Sequence, residues 1–217
     1  MVKYYTAEEI SFHNFSEDCW VSIDHDVYDL SPLLTDQRSY LAEPILKYAG
    51  KSVSHWFVPG TKELKTYIDP ERNIRMPYTP EGRFLHVPPA DPVEWSTEYE
   101  SPWWKDQQYI VGKLSEKTRL IRILNTLTRK EDVINVCQEE TINDIQERYM
   151  EFNKHAKSYT WKGLLNDEFV ILDMDKNLEE NGIKDEAEIF HKLGMDDEYY
   201  VPTLHIYFND DLSVEEE

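Results

Sequence analysis

Residues 20–57 read WVSIDHDVYDLSPLLTDQRSYLAEPILKYAGKSVSHWF, and this stretch decides the fold of the first half of the chain. Two runs of strand-forming residues, 20–23 and 27–30, flank an Asp-His-Asp sequence. Turn-forming aspartates between two apolar runs are typical of a hairpin. We therefore expect two antiparallel strands joined by a tight turn.

The second half of this stretch has the period of an amphipathic helix. Its apolar side chains share one helical face, at Leu41, Ile45, Leu46 and Ala49. Gly50 follows directly and is placed to end the helix. A hairpin that leads into short helices predicts a small α+β module whose helices border a pocket.

A further short helix is predicted just before the hairpin. Thr6 and Glu9 have the spacing of a capping box, in which each side chain accepts a hydrogen bond from the other residue's backbone amide. The helix is expected to run from Ala7 to about His13.

Length and composition indicate two globular domains with an acidic surface. The chain has 217 residues, of which 40% are hydrophobic and 13% aromatic, enough for two cores. The formal net charge of −20 predicts a field that repels phosphate backbones and anionic lipid. Neither nucleic acid nor a membrane is therefore an expected partner. The acidic surface is either a solvated face or a docking surface for basic partners.

The two cysteines, Cys19 and Cys137, lie far apart and lack the spacing of metal ligands. This usage fits a reducing compartment, and we expect no disulfide. No apolar leader opens the sequence, and no window reaches the ~18 apolar residues that a membrane span needs. The expectation is a soluble intracellular protein.

Residues 70–115 predict an ordered connector rich in proline and aromatic residues. Seven of the eleven prolines lie within residues 70–102, so long regular elements are not expected there. Trp95, Trp103 and Trp104 are too apolar for a solvated spacer. They are candidates for an interaction surface, and the alternative is that they pack against a neighbouring domain.

The last part of the chain predicts a sheet around one helix. Alternating apolar residues from Thr118 onward indicate a hairpin, and Thr141 caps a helix whose apolar face includes Ile142, Ile145 and Tyr149. Three further strand-like runs follow. The order β-β-α-β-β-β predicts a β-grasp sheet. The expected division of the chain is 1–69, 70–115, 116–212 and an acidic tail at 213–217.

No motif in the sequence indicates catalysis. There is no GxSxG, no phosphate-binding glycine loop and no CxxC, and the acidic pairs lack a supporting third group. We expect that the protein is not an enzyme.

Residues 4–57 resemble the cytochrome b5 family. The segments YTAEEISFHN, WVSI, VYDL and AGKSVSHWF are similar to its opening helix, its hairpin and the helix after the haem. Members hold haem between two histidines, the first within an HPGG motif. The matching positions here are Gln37 or Arg38 for the first ligand and Lys62 for the second, so neither axial histidine is present.

The resemblance implies haem b as the possible cofactor, with His55 and Tyr40 as candidate ligands. His55 follows the AG sequence, and an imidazole is a common axial or metal ligand. Its alternative role is packing beside Trp56 and Phe57 or binding a backbone carbonyl. A group of membrane progesterone receptors related to cytochrome b5 uses a tyrosine near Tyr40, whose alternative role is partial burial. His86 is a third candidate ligand.

Residues 118–208 resemble ubiquitin-like domains, through IRILNTLT, VINVCQEETINDI and LEENGIKDE. The chain ends DLSVEEE without a diglycine, so no conjugation through the C-terminus is expected. The whole chain resembles a family of axonemal proteins that join a cytochrome b5-like module to a ubiquitin-like domain. That resemblance implies a structural component of the cytoskeleton in the motile cilium or flagellum, in the radial spoke stalk, with other spoke and axonemal proteins as partners. The alternative is a redox sensor in which weakly held haem regulates ciliary beating.

Overall fold

The computed structural model describes residues 2–36, 39–89, 101–196 and 199–209, which fold as two compact units. The units are Met1–Ser115 and Glu116–Glu217. Residues 70–89 and 101–115 cluster with the first unit, and the division into a domain over 1–69 and a packed connector over 70–115 stays a prediction. Within the described part of the chain, no helix combines the length and the apolar character needed to cross a bilayer.

The N-terminal unit combines short strands with short helices. Its strands are β1 (Tyr4–Tyr5), β2 (Asn14–Phe15), β3 (Asp18–Ile23), β4 (Asp26–Asp29), β5 (Lys51–Ser52), β6 (Phe57–Val58), β7 (Glu63–Leu64), β8 (Thr66–Ile68), β9 (Arg75–Pro77) and β10 (Ile110–Leu114). Its helices are α1 (Ala7–Phe12), α2 (Ser31–Asp36) and α3 (Glu43–Leu46), with 3-10 turns at Tyr40–Ala42, Ser54–Trp56 and Gln107–Tyr109.

The main sheet of this unit is built on the predicted hairpin. Strands β3 and β4 pair antiparallel and Asp24 takes a positive φ of 50° in the turn. The sheet order is β1-β10-β4-β3-β2, and β5 pairs parallel to β3. Strand β10 runs beside β1 at Gly112, where a Cβ would collide with the Lys3 carbonyl oxygen and the Tyr5 ring. Glycine is therefore required there.

The two local helix predictions differ in outcome. The capping box of Thr6 and Glu9 is present, and α1 follows it as expected. The helix predicted over 41–49 is instead a 3-10 turn followed by the single turn of α3. Pro44 explains the break, because it has no amide with which to bond the Tyr40 carbonyl.

The C-terminal unit is a mixed sheet that packs on one longer helix. Its strands are β11 (Thr118–Asn125), β12 (Glu131–Cys137), β13 (Tyr159–Leu165), β14 (Glu168–Ile171) and β15 (Thr203–Phe208), and its helices are α4 (Ile142–Tyr149), α5 (Ala187–Lys192) and a 3-10 turn at Ala156–Ser158. The sheet order is β12-β11-β15-β13-β14, with β11 and β15 parallel. The elements follow in the predicted order, with α5 as an unpredicted addition. The assignment of this unit to ubiquitin-like domains stays a prediction.

Helix α4 and the inward face of the sheet form the core of the C-terminal unit. The capping box of Thr141 and Asp144 begins α4, whose Ile142, Ile145 and Tyr149 are buried as predicted. Alternate residues of β11, among them Ile121 and Ile123, pack against this face. The amphipathic period of the sequence thus positions both layers.

Candidate functional site

The 3-10 turn at Ser54–Trp56 turns the His55 side chain toward solvent. Val53 and Trp56 on either side are fully buried, and the Val53 amide donates to the Ser22 carbonyl oxygen over 2.9 Å. The Ser54 hydroxyl accepts from the Asp24 amide at 2.7 Å, which ties the turn to the β3–β4 hairpin. Because its neighbours are fixed in the core, His55 is held on the surface.

His55 lies on one side of a shallow cavity of about 470 Å³. The cavity is lined by His55, Val58, Leu64, Lys65, Thr66 and Tyr78. The His55 ring centre lies 5.2 Å from that of Tyr48, and Lys65 Nζ donates to the His55 carbonyl oxygen at 2.9 Å. The exposed imidazole also has its ring centre 5.8 Å from that of Trp56, one of the neighbours named for its alternative role.

Tyr40 lies in a different surface depression. Its side chain is 70% exposed, and its hydroxyl accepts a hydrogen bond of 3.2 Å from Arg83 Nη2. The cavity that it lines, of about 380 Å³, shares no lining residue with the His55 cavity. The structure therefore does not bring the two candidate haem ligands to one site, and Tyr40 is exposed rather than partly buried.

Residues 81–87, which we call the strap, cross the 3-10 turn at Tyr40–Ala42 and helix α3. Glu81 forms an ion pair of 3.1 Å with Lys47, and the Leu85 amide donates to the Leu41 carbonyl oxygen over 3.2 Å. Phe84, at the centre of the strap, is buried. The strap therefore packs on these helices, which still border the Tyr40 cavity through Ala42, Glu43 and Leu46.

Phe84 stacks on Trp56 with a ring separation of 4.6 Å and an interplanar angle of 25°. Trp104 meets the same Phe84 ring at 5.8 Å, and Trp103 lies 6.3 Å from it. All four rings belong to the hydrophobic core of the N-terminal unit. Their stacked and edge-on contacts are the arrangements that aromatic pairs favour.

The prediction that Trp103 and Trp104 form an interaction surface is wrong, because they are 0% and 4% exposed. Their rings stand at 89° to each other with centres 5.5 Å apart, so two adjacent tryptophans fit in one core. The Tyr28 hydroxyl donates to the Trp104 carbonyl oxygen at 3.0 Å. The alternative given from sequence, packing, holds for both. The third candidate, Trp95, lies outside the described residues.

His86 holds Trp103 and is not placed as an exposed ligand. Its Nδ1 accepts a hydrogen bond of 3.0 Å from the Trp103 amide. Burial lowers the pKa of His86, against a smaller opposing effect of Asp106, and so favours the neutral imidazole that can accept this bond. The residue also takes a positive φ of 68°.

Lys62, at the position of the second haem ligand, is used as a structural cation. Its ammonium pairs with Asp26 at 2.6 Å and lies 5.2 Å from the centre of the Tyr28 ring. Burial opposes the charge, but hydrogen bonds to Asp26 and Tyr28 outweigh it and raise the pKa of Lys62. The first ligand positions, Gln37 and Arg38, lie outside the described residues.

The described residues do not fit a haem held between two side chains. His55 and Tyr40 line separate cavities, and Lys62 is engaged elsewhere. Nor do the described ranges contain a group of three or more His, Cys, Asp or Glu residues that could hold a metal ion. Buried Cys19, whose thiol pKa is raised to about 12 by burial, is also no ligand candidate.

One exposed surface was missed from the sequence. The exposed hairpin, β8 with β9, presents Tyr67, Ile68, Ile74 and Tyr78 to solvent. Ile68 alone is 63% exposed. The signal was present in TYIDPERNIRMPY, where a turn-forming DPERN separates two apolar pairs. Exposed apolar clusters on a hairpin are typical of interaction surfaces.

Comparisons with known proteins match the N-terminal unit to one family, and individual relatives match nearly the whole chain. The family described as cytochrome b5-like heme/steroid binding domain matches residues 6–115. Cytochrome b5 domain-containing protein 1 of Xenopus laevis is 49% identical over 213 residues, covering 97% of this chain and 96% of that protein. Its counterpart in Homo sapiens is 46% identical and covers 97% and 92%. Cytochrome b5 of Mus musculus is 34% identical over 110 residues, covering 48% of this chain and 76% of that protein.

Proposed function

The chain belongs to the family described as cytochrome b5-like heme/steroid binding domain and is similar over 97% of its length to cytochrome b5 domain-containing protein 1 of Xenopus laevis, and we propose that it is a non-enzymatic adaptor. Its place is the motile-cilium axoneme, in the radial spoke stalk, where it supports ciliary beating. The ciliary part of the proposal rests on the resemblance of the whole chain to axonemal proteins.

The observation that supports an adaptor is that the second ligand position and the segment similar to the helix after the haem take part in packing and ion pairing. Phe84 and Trp103 fill the core beside Trp56, and Lys62 braces the β3–β4 hairpin. A frame that lacks a histidine at its second ligand position and whose core is packed with aromatic rings offers shape and surface rather than redox chemistry. The aromatic packing also makes it rigid, which suits a fixed structural part.

The C-terminal unit completes the adaptor as a ubiquitin-like β-grasp module. The support is its sheet order, in which the first and last strands lie parallel at the centre and α4 covers one face. We propose that it acts as a fixed interaction fold.

The exposed hairpin is the surface through which we expect the N-terminal unit to dock. The test compares axonemes that carry the full chain with Ile68→Ser, or with the control Leu127→Ser, in place of the wild type. Both side chains are 63% exposed, so each change should alter the free energy of unfolding by no more than about 0.5 kcal/mol.

The proposal expects Ile68→Ser to appear in the salt-wash supernatant while Leu127→Ser stays with the pellet, both with native circular dichroism. Equal retention of the two variants would reject the hairpin as the docking surface. Absence of the wild-type chain from purified axonemes would reject the location itself.

A haem-linked redox sensor is the second candidate, favoured by the family match and by the exposed imidazole of His55. Hemin titration of the full chain tests it, with His55→Ala against the equally solvent-facing His25→Ala as a control. A Soret shift that His55→Ala alone removes would support the sensor. Spectra that are identical in all three proteins would exclude His55 as a ligand.

A further inference from the structure

A basic cavity of about 390 Å³ lies at one end of the sheet in the C-terminal unit. It forms where the start of β11 meets the segment before α5 and residues 200–202. We call it the Arg119 cavity, after the guanidinium that lines it. Its other polar lining includes Lys117, Thr118, Asn135 and Lys184.

Arg119 is a buried cation without a carboxylate partner among the described residues. The residue is 9% exposed, and its Nη2 donates to the Ile183 carbonyl oxygen at 2.9 Å. Its Nε is buried and has no hydrogen-bond partner within the described ranges. Burial lowers the pKa of Arg119 despite the opposing influence of Asp185 and Glu179.

A buried guanidinium with an unmet donor is unfavourable unless an acceptor reaches it. No structural acceptor is assigned to the Nε in the described part of the chain, and the side chain borders an open cavity. An anion that entered the cavity would compensate the charge of this guanidinium, which has no carboxylate partner among the described residues. The uncompensated cation therefore points to an anionic ligand.

The other charges of the cavity determine how much negative charge it accepts. Lys117 already pairs with Asp185 at 2.8 Å, whereas no ion pair of Lys184 is found among the described residues. The lining holds three cationic side chains and two carboxylates, Asp185 and Glu186. One positive charge remains, which matches a monoanion better than a phosphate dianion.

The walls and the surroundings favour a carboxylate on an apolar stem. Leu120, Ala187, Val201 and Pro202 form the non-polar side of the cavity. The chain as a whole carries −20, which repels partners with several negative charges. Guanidinium and carboxylate also match in geometry.

We propose that the Arg119 cavity binds a single carboxylate borne by an otherwise apolar segment of a partner protein. The Arg119 guanidinium attracts the carboxylate, Lys184 adds the remaining charge, and the apolar wall contacts the neighbouring side chain. This site goes beyond the axonemal role, because it depends only on residues of the C-terminal unit.

The test uses N-acetyl-L-leucine as a probe and the uncharged N-acetyl-L-leucinamide as its match, with the full chain labelled with nitrogen-15. The Arg119 Nε–H resonance and the backbone amides of Thr118 and Leu120 are followed by NMR. A saturable shift with the carboxylate and none with the amide is expected. No saturable shift, or equal shifts with both, would overturn the proposal.

Two variants and one further anion sharpen the result. Lys184→Gln is expected to weaken binding about two- to fivefold, the contribution of one exposed charge, while Lys154→Gln, an exposed lysine outside the cavity, leaves it unchanged. Arg119→Gln, if it folds, should abolish the saturable shifts of Thr118 and Leu120. Equal effects of the two lysine changes would refute the cavity as the site, and tighter binding of inorganic phosphate would refute the carboxylate class.

Discussion

Replacing Trp103 by alanine tests whether residues 101–115 belong to the core of the N-terminal unit. The side chain is fully buried and contacts the rings of Tyr28, Phe57, Phe84 and Trp104. Truncation of a tryptophan at such a position removes its apolar burial and leaves a cavity. The expected loss in free energy of unfolding is about 3–5 kcal/mol.

The assay is urea unfolding of the full chain followed by far-ultraviolet circular dichroism, fitted for a separate transition of each unit. Only the N-terminal transition should move to lower urea, with its slope unchanged. The matched control is Phe12→Ala, because Phe12 is a large aromatic residue of the same unit that is 65% exposed. That variant should lose no more than about 0.5 kcal/mol.

An equal and small effect of the two substitutions would show that Trp103 is not part of the core. Trp103 would then be a surface residue, which is one of the two possibilities that the sequence left open. A shift of the C-terminal transition alone would show that Trp103 does not stabilise the N-terminal unit.

Three further predictions follow from local contacts. Thr141→Ala removes the N-cap of α4 and should lower the free energy of unfolding of the C-terminal unit by about 1 kcal/mol, whereas Thr141→Ser should restore most of it; equal losses would exclude the cap as the cause. The pKa of His86 is lowered in the folded state. Its contribution to the free energy of unfolding is therefore fully present above the ordinary pKa of 6.5 and is lost as pH falls through the lowered value. Urea titrations between neutral and acidic pH should therefore show a smaller pH dependence of the N-terminal transition in His86→Asn, a residue that tolerates the positive φ, and an unchanged dependence would contradict the role given to His86. Cys19, buried and with its pKa raised to about 12, should react with iodoacetamide only after denaturation, and rapid labelling of the native protein would show that the site opens.

Local features were predictable because their causes lie within a few residues. The β3–β4 hairpin depends on the aspartates of its turn, and each capping box depends on two side chains three positions apart. Helix α4 was predicted from its apolar period and its cap together. The alternating faces of β11 and β12 followed for the same reason.

Features that depend on distant contacts were not predictable in the same way. Tyr28 and Trp104 are separated by 76 positions in the chain, and nothing in a local window pairs them. The adjacent Trp103 and Trp104 indicated a candidate interaction surface in the sequence, whereas in the structure their perpendicular rings pack in one core. The break at Pro44 was locally encoded, but the apolar period outweighed it in the sequence interpretation.

The candidate site likewise combines one feature that is visible in the sequence with others that depend on distant contacts. The absence of histidines at the two ligand positions is visible in the sequence, and it predicted that the b5 frame lacks its axial pair. What replaces them was not visible. The ion pair of Lys62 with Asp26 and the strap that brings Phe84 onto Trp56 both join segments distant in the chain.

The N-terminal unit packs its own aromatic side chains against Trp56, in the segment similar to the helix after the haem of the b5 family. The most direct measurement is an experimental structure of the full chain expressed with added haem precursor and mixed with equimolar hemin before analysis. We expect Phe84 to lie stacked on Trp56 with Trp103 buried beside it, and no porphyrin to lie between them. A porphyrin seated between two side chains of this unit, with Phe84 and Trp103 displaced, would contradict it.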